Sequence, residues 1–138
     1  MTALAPQAVG IPVGAHSVAA EPYWEGCRQG ELRYQRCAAC HEVNMKPART
    51  CASCGADRLT WERSEGRGRL YSWTVVWRPQ HPSFQVPYAP AIIELDEGFW
   101  LMSAIVGCDH EDLRADLPVV VEFHPASDDT TLPYFRPA

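Results

Sequence analysis

The sequence has no hydrophobic run long enough to cross a membrane. Its 138 residues include 12 prolines, and no apolar stretch approaches the roughly 20 residues of a membrane-spanning helix. The first twenty residues have no cationic start and are interrupted by Pro6 and Pro12, so they lack the pattern of a secretory signal. We therefore expect a cytoplasmic protein with reduced thiols and no membrane partner.

Catalytic motifs are also missing. The sequence contains neither the G-x-S-x-G nucleophile motif nor the H-E-x-x-H motif of zinc proteases. Residues 64–68 hold only two of the glycines of a phosphate-binding loop, so no nucleotide site is expected there. The five histidines are scattered along the chain: His16, His41, His81, His110 and His124. The sequence therefore offers no recognisable catalytic set.

Basic residues are scarce in the second half of the chain. Residues 79–138 contain two Arg or Lys against ten Asp or Glu, whereas residues 28–78 contain ten against five. The acidic half argues against a protein that binds nucleic acid over its whole surface. The basic segment could bind an anionic ligand, or it could simply be a solvated charge pattern. Single-stranded nucleic-acid binding therefore stays an alternative, disfavoured by the acidic half.

The chain is rich instead in paired cysteines. Two C-x-x-C pairs are formed by Cys37 with Cys40 and by Cys51 with Cys54. A turn at this spacing directs two thiolates at one point, and four thiolates at about 2.3 Å make a closed tetrahedral Zn(II) site. Two disulfides are the alternative, which a reducing compartment disfavours, and a catalytic zinc would need an open coordination position. The pattern predicts one structural zinc ion per chain.

The residues that follow the two cysteine turns differ. Gly55 follows the second pair, where such a turn often requires a left-handed backbone. His41 holds the matching place after the first pair and is a less favourable residue there. The two remaining cysteines, Cys27 and Cys108, are expected to serve as small apolar residues.

Hydrophobic periodicity divides the chain into three parts and predicts a mainly β fold. Residues 1–19 are predicted to be a mobile leader. Residues 20–63 are predicted to form a short helix that starts near Glu21, followed by a three-stranded zinc ribbon too small to fold without its metal. Residues 64–138 are predicted to form five antiparallel strands in a small closed barrel of the OB type.

The barrel pattern has one long interruption. The first barrel strand is predicted to alternate from Arg69 to Trp77. Residues 78–90 then form a loop stiffened by four prolines, and a loop of this length in a compact domain often carries function.

This order of helix, four-cysteine ribbon and barrel resembles the DUF35 family over about residues 20–136. The matching motifs are Tyr23-Trp24-Glu25-Gly26, Leu32 through Cys37-x-x-Cys40, Cys51-x-x-Cys54-Gly55, Gly66-Arg67-Gly68, Tyr71-Ser72-Trp73-Thr74-Val75-Val76, Pro87-Tyr88 and Glu94-Leu95-Asp96-Glu97-Gly98. Two departures concern the ribbon surface: His41 stands where the family favours Gly, and residues 46–49 replace a Pro-Pro-Arg-like run. The resemblance implies a rubredoxin-like zinc ribbon before an OB-fold.

The resemblance also implies a function. Members of this family resemble accessory subunits of thiolase-superfamily enzymes or hotdog-fold hydratases that act on acyl-CoA. The closing residues 132–137 are similar to a subgroup that pairs with a thiolase-like aldolase, which splits a β-hydroxyacyl-CoA during steroid side-chain degradation. The expected partner is therefore a thiolase-like aldolase or acyltransferase, and the chemistry would belong to that partner. A free-standing acyl-CoA carrier is an alternative.

A CoA ligand would need cations, an aromatic platform and an apolar slot. A crevice between the first helix and the barrel could accept its pantetheine arm. The residues expected to contact CoA or the partner are Tyr23, Trp24, Arg49, Trp77, Arg78, Phe84 and Tyr88. A plain core role is favoured over ligand contact for four tryptophans, Trp24, Trp61, Trp73 and Trp100. For the aromatics beside the long loop, partner contact and a core role stay equally open, because interfaces are enriched in aromatic residues.

Overall fold

The computed structural model describes residues 3–44 and 46–138. In these residues the elements are α1 (Glu21–Arg28), β1 (Arg33–Cys37), β2 (Val43–Asn44), β3 (Leu59–Arg63), β4 (Arg67–Trp73), β5 (Ala89–Leu95), β6 (Trp100–Ile105), β7 (Pro118–Pro125) and β8 (Thr131–Pro137). Short 3-10 turns lie at Val18–Ala20 and His110–Asp112. Met1 and Thr2 of the predicted leader and Met45 of the predicted ribbon lie outside the described residues. No helix among those described is long and apolar enough to cross a membrane.

Helix α1 begins where the sequence predicted. Pro22 lies in its first turn, where the missing N–H is not needed, and Arg28 in the last turn pairs with Glu25 at 2.6 Å. The helix buries Cys27, which is 1% exposed. Gly26 is required by a close approach, because a Cβ at this position would lie 2.8 Å from the carbonyl oxygen of Glu31. The helix is thus held by docking rather than by its length.

The ribbon is a three-stranded antiparallel sheet in the order β2-β1-β3, as predicted. The buried side chain of Gln35 in β1 donates to the carbonyl of Ala48 at 3.0 Å and accepts from its N–H at 2.9 Å. Tyr34, its neighbour, stacks on Phe99 of the barrel at 4.8 Å between ring centroids. The ribbon therefore shares its packing with the barrel.

The five remaining strands close a barrel in the order β4-β5-β6-β8-β7. The predicted OB-type barrel is confirmed, with one difference: the junction between β6 and β8 is parallel and pairs only at Ile105 and Phe135. The strands were expected to be antiparallel throughout. The barrel closes at this junction: β7 pairs with β4 on one side and with β8 on the other, and β8 then lies beside β6.

Strand β4 is shorter than the alternating pattern predicted. It ends at Trp73, and a single bridge between Val76 and Tyr88 continues the pairing. The register between β4 and β5 shifts between Leu70 and Ser72, which leaves Tyr71 53% exposed. A bulge of this kind bends the strand and re-aims its side chains, so the alternation does not continue to Trp77.

The predicted mobile leader is docked on the barrel where the structure describes it. Leu4 is only 3% exposed; its N–H donates to the carbonyl of Cys108 at 2.7 Å, and its carbonyl accepts from Gly107 at 2.8 Å. Further along, the N–H of Gly10 donates to the carbonyl of Ala126 at 3.1 Å. We call residues 3–16 the N-terminal strap. Its few apolar side chains carry no period, which is why the sequence did not reveal the docking. The division into residues 1–19, 20–63 and 64–138 stays a prediction.

Candidate metal centre and apolar crevice

The two C-x-x-C turns have matching backbone geometry. The N–H of His41 donates to the carbonyl of Cys37 at 2.8 Å, and that of Gly55 donates to the carbonyl of Cys51 at 2.9 Å. Both closing residues are left-handed, with φ of 67° at His41 and 77° at Gly55. The prediction that His41 occupies a position suited to glycine is therefore confirmed.

The four sulfurs form one compact cluster. The Sγ atoms of Cys37, Cys40, Cys51 and Cys54 all lie within 4.8 Å of one another. The distance is 3.7 Å between those of Cys37 and Cys54 and 3.6 Å between those of Cys40 and Cys51. A tetrahedron with Zn–S bonds of about 2.3 Å has sulfur–sulfur edges of about 3.8 Å, whereas a disulfide would need about 2.05 Å. The cluster fits a structural zinc ion, which would link both turns and leave no open coordination position.

Hydrogen bonds favour the thiolate form of two cysteines of this cluster, Cys51 and Cys37. The side-chain amide of Asn44 donates to Sγ of Cys51 at 3.5 Å, and its Oδ1 accepts from the N–H of Ala52 at 2.8 Å. The amide is the largest of the causes that lower the pKa of Cys51 to about 6. The N–H of Cys40 likewise lowers the pKa of Cys37. The pKa of Cys40 is instead raised to about 12, because the N–H of Glu42 lowers it less than burial and the three neighbouring sulfurs together raise it. Asn44 was not singled out from the sequence, because a two-residue strand carries no detectable pattern.

A second feature is a crevice of about 290 Å³ between α1, the N-terminal strap, the 78–90 loop and strands β6 and β8. It confirms that a crevice lies between helix and barrel. Four of the predicted contact residues line it: Tyr23, Trp24, Phe84 and Tyr88. Burial, the largest cause, raises the pKa of Tyr23 far above its ordinary value, so its phenol stays neutral. We call this feature the apolar crevice.

The other three predicted contact residues lie outside the apolar crevice. Trp77 is 58% exposed and meets the ring of His110 edge-on at 5.0 Å. Arg78 is exposed next to it, and Arg49 is exposed on the ribbon before the second cysteine turn. The seven residues therefore do not form one continuous site, and their assignment to CoA or partner contact stays a prediction.

Several residues of the apolar crevice were missed by the sequence analysis. They come from the strap, from β6 and from β8: Ala5, Gln7, Ile11, Met102, Ser103, Ala104, Ile105, Leu132, Pro133 and Tyr134. The strap residues were assigned to a leader, and the strand residues lie where two strands distant in sequence meet. No local signal marks either group.

The outer barrel face carries a further group of exposed apolar side chains. Tyr71 of β4 stacks on Trp100 of β6 with ring centroids 4.6 Å apart, and the indole N–H of Trp100 donates to Glu94 at 3.3 Å. Trp100, expected in the core, lies on this surface instead because even-numbered β6 residues point outward.

Family models match the two parts of the chain in order. The one described as "ChsH2, rubredoxin-like zinc ribbon domain" matches residues 24–60, and the one described as "ChsH2, C-terminal OB-fold domain" matches residues 61–124. The solved structure "Ltp2-ChsH2(DUF35) aldolase" is similar to this chain with a TM-score of 0.84 and 34% identity, covering 91% of this chain and 98% of that chain.

Two curated relatives are similar at the sequence level. The "Probable enoyl-CoA hydratase alpha subunit" of Thermomonospora curvata is 38% identical over 118 residues, 84% of this chain and 36% of the relative. The "3-oxo-4,17-pregnadiene-20-carboxyl-CoA hydratase alpha subunit" of Mycobacterium tuberculosis is 29% identical over 97 residues, 70% of this chain and 31% of the relative. The chain thus spans about a third of the length of these relatives.

Proposed function

The chain belongs to the DUF35 family, and from this premise we propose that it is a non-catalytic subunit that binds and supports a thiolase-superfamily enzyme acting on acyl-CoA. The partner reaction we propose is retro-aldol carbon–carbon cleavage of a β-hydroxyacyl-CoA in steroid side-chain degradation. The observation that carries the proposal is the likeness, over 91% of this chain, to the solved structure "Ltp2-ChsH2(DUF35) aldolase".

Two properties of the chain suit a supporting role. A cluster of four thiolates around a zinc ion has no open coordination position, so it stabilises the ribbon without activating water or substrate. The closed barrel gives a rigid surface, in which only the junction between β6 and β8 is weakly paired. The names of the curated relatives, one of them a subunit of a pregnadiene-carboxyl-CoA hydratase, support acyl-CoA and steroid chemistry for the complex.

The contact residues divide between two places in this proposal. Trp77, Arg78 and Arg49 are exposed, and we assign them to contact with the enzyme partner. Exposed Trp and Arg are the residue types that contribute most to interfaces. Tyr23, Trp24, Phe84 and Tyr88 line the apolar crevice, where they would face a ligand or an inserted side chain of the partner.

Co-expression with the thiolase-superfamily proteins of the source organism tests the proposal. We expect one of them to co-purify with this chain and the pair to cleave a β-hydroxyacyl-CoA that neither protein cleaves alone. Size-exclusion chromatography at micromolar concentrations gives the association. If none of these proteins associates, or if the isolated chain cleaves the thioester, the proposal is wrong.

A further inference from the structure

The apolar crevice lies against the junction between β6 and β8, the most weakly paired junction of the described barrel. Strands β6 and β8 share only the pair Ile105 and Phe135, and the hydroxyl of Ser103 bridges the gap by donating to the carbonyl of Pro133 at 2.8 Å. Helix α1 and the N-terminal strap roof this junction. Larger side chains at this junction could fill the space between the barrel, the helix and the strap. The crevice instead keeps an open volume of about 290 Å³.

The polar side chains of Gln7, Tyr88 and Tyr134 at the wall of the apolar crevice are already hydrogen-bonded. The side chain of Gln7 donates to the carbonyl of Gln85 at 3.0 Å and accepts from its N–H at 2.8 Å. The hydroxyl of Tyr134 accepts from the N–H of Gln7 at 3.1 Å, and that of Tyr88 donates to Gln80 at 2.9 Å. These hydrogen bonds tie the strap to the loop and leave a largely hydrocarbon wall.

The absence of charged lining residues determines which part of an acyl-CoA thioester can bind in the apolar crevice. The lining residues include no Lys, Arg or His, and moving phosphate from water to a site without cations is unfavourable. The volume of about 290 Å³ also lies at the low end of the range of roughly 300–1,000 Å³ for ligand pockets, too small for a nucleotide together with its acyl group.

We propose that the apolar crevice binds the acyl portion of an acyl-CoA thioester and leaves the CoA nucleotide outside. The inference rests on the proposed function, which supplies the acyl-CoA, and adds to it the place and the part of the ligand that this chain holds. Tyr23 and Trp24 form the helix side of the site, Phe84 and Tyr88 the loop side.

Calorimetry on the isolated, zinc-loaded chain with acetyl-, butanoyl-, hexanoyl- and octanoyl-pantetheine tests this inference. Burying one methylene corresponds to about a fourfold gain in affinity. We expect a gain of this order for each methylene added until the crevice is filled, and no displacement of octanoyl-pantetheine by free CoA. Equal affinities along the series, or displacement by CoA at similar concentrations, overturn the inference.

Variants locate the binding. Ala104 in β6 lines the crevice, whereas Ala115 is exposed in the turn before β7. We expect Ala104→Phe to weaken octanoyl-pantetheine at least tenfold and Ala115→Phe to leave its affinity unchanged. If Ala104→Phe disturbs the barrel, Ala5→Trp fills the crevice from the exposed strap side. An unchanged affinity in a folded, zinc-loaded Ala5→Trp or Ala104→Phe protein contradicts the site.

The two proposals can fail separately. Binding to the isolated chain needs no partner, whereas the proposed function is tested by co-purification and restored cleavage. A complex that forms and cleaves while the isolated chain shows no chain-length dependence refutes the acyl site alone. If the isolated chain shows chain-length-dependent binding but no thiolase-superfamily protein associates with it, the supporting role is refuted and the acyl site stands.

Discussion

His41 and Gly55 show how one backbone position constrains the choice of residue. Both close a cysteine turn by donating to the carbonyl of the first cysteine, and both have positive φ. Glycine adopts this conformation without penalty, whereas an L residue pays roughly 1–2 kcal/mol for it. The first turn therefore stores strain that the metal and the hydrogen bonds must offset.

Replacing His41 by glycine should relieve this strain. We expect His41→Gly to raise the free energy of unfolding of the zinc-loaded chain by about 1 kcal/mol, measured by urea titration. Ala38→Gly is the matched control, since Ala38 lies in the same turn but is not among the residues of positive φ. It should lower the stability by about 0.5–1 kcal/mol. Destabilisation by both changes would show that the His41 side chain has a role of its own.

Asn44 is the residue that orients the second cysteine turn. Its amide donates to the sulfur of Cys51 while its oxygen holds the N–H of Ala52. Because partners of metal ligands tune affinity by about 10–100-fold, we expect Asn44→Leu to weaken zinc binding by that order in competition with a chelator. Thr60→Val, at an exposed position of the same ribbon, should leave zinc affinity unchanged. Equal affinities of Asn44→Leu and the wild type would rule out the orienting role.

At the scale of elements, the ribbon depends on its metal more than on its core. Its three strands carry few buried side chains, chiefly Tyr34, Gln35 and Cys37 in β1. Structural zinc contributes about 10–16 kcal/mol of apparent binding free energy in small zinc domains, far more than three side chains can supply.

Loss of one thiolate should therefore unfold the ribbon. We expect Cys37→Ala to release the zinc ion and to remove hydrogen-exchange protection from residues 31–63, while strands β5 and β7 keep theirs. Zinc stoichiometry is measured by elemental analysis. Cys108→Ala is the control, because Cys108 lies outside the sulfur cluster and should retain one zinc ion per chain. Full zinc content in Cys37→Ala would contradict the ligand set.

The N-terminal strap is the second element whose stability can be tested. Leu4 is 3% exposed and joins the barrel core, whereas Val9 is 67% exposed. Truncating a buried leucine costs about 2–5 kcal/mol, and we expect Leu4→Ala to lower the free energy of unfolding by an amount in this range. Val9→Ala should change the free energy of unfolding by less than about 0.5 kcal/mol. Urea titration of both variants gives the comparison, and equal midpoints would mean that the strap does not dock in solution.

For the whole molecule, charge and exposed aromatics are distributed unevenly. The net charge is −5, yet residues 28–78 carry an excess of basic residues. Trp77 and Arg78 lie at the boundary between this basic segment and the acidic second half. At this boundary a partner could bury the Trp77 side chain and place charges opposite those of the neighbouring basic and acidic segments.

Association with the enzyme partner should therefore depend on Trp77. We expect Trp77→Ala to weaken the complex by about 2 kcal/mol, roughly thirtyfold in Kd, with zinc content unchanged. Tyr71→Ala is the matched control, since Tyr71 is similarly exposed at 53% but lies outside the predicted contact set. Binding is followed by surface plasmon resonance with the immobilised partner. A larger loss for Tyr71→Ala would place the interface on the outer face of β4 and β6.

The ribbon and most of the barrel could be predicted because their signals are local. A C-x-x-C turn needs only four neighbouring residues, and Pro22 or Gly98 marks an element boundary by its own backbone preference. The end of β4 could not be predicted, because the bulge near Leu70 depends on pairing with β5. The docking of Leu4 likewise depends on Cys108, about a hundred residues away in sequence.

The metal chemistry, the order of helix, ribbon and barrel, and the positions of most strands could be predicted from local patterns. Thiolate spacing and alternation act over a few residues and need no distant partner. The fold was needed to show that four of the predicted contact residues line one crevice while Arg49, Trp77 and Arg78 do not. The parallel junction of β6 and β8 and the strap across it bring these residues together, since closing the barrel sets distances that no local pattern encodes.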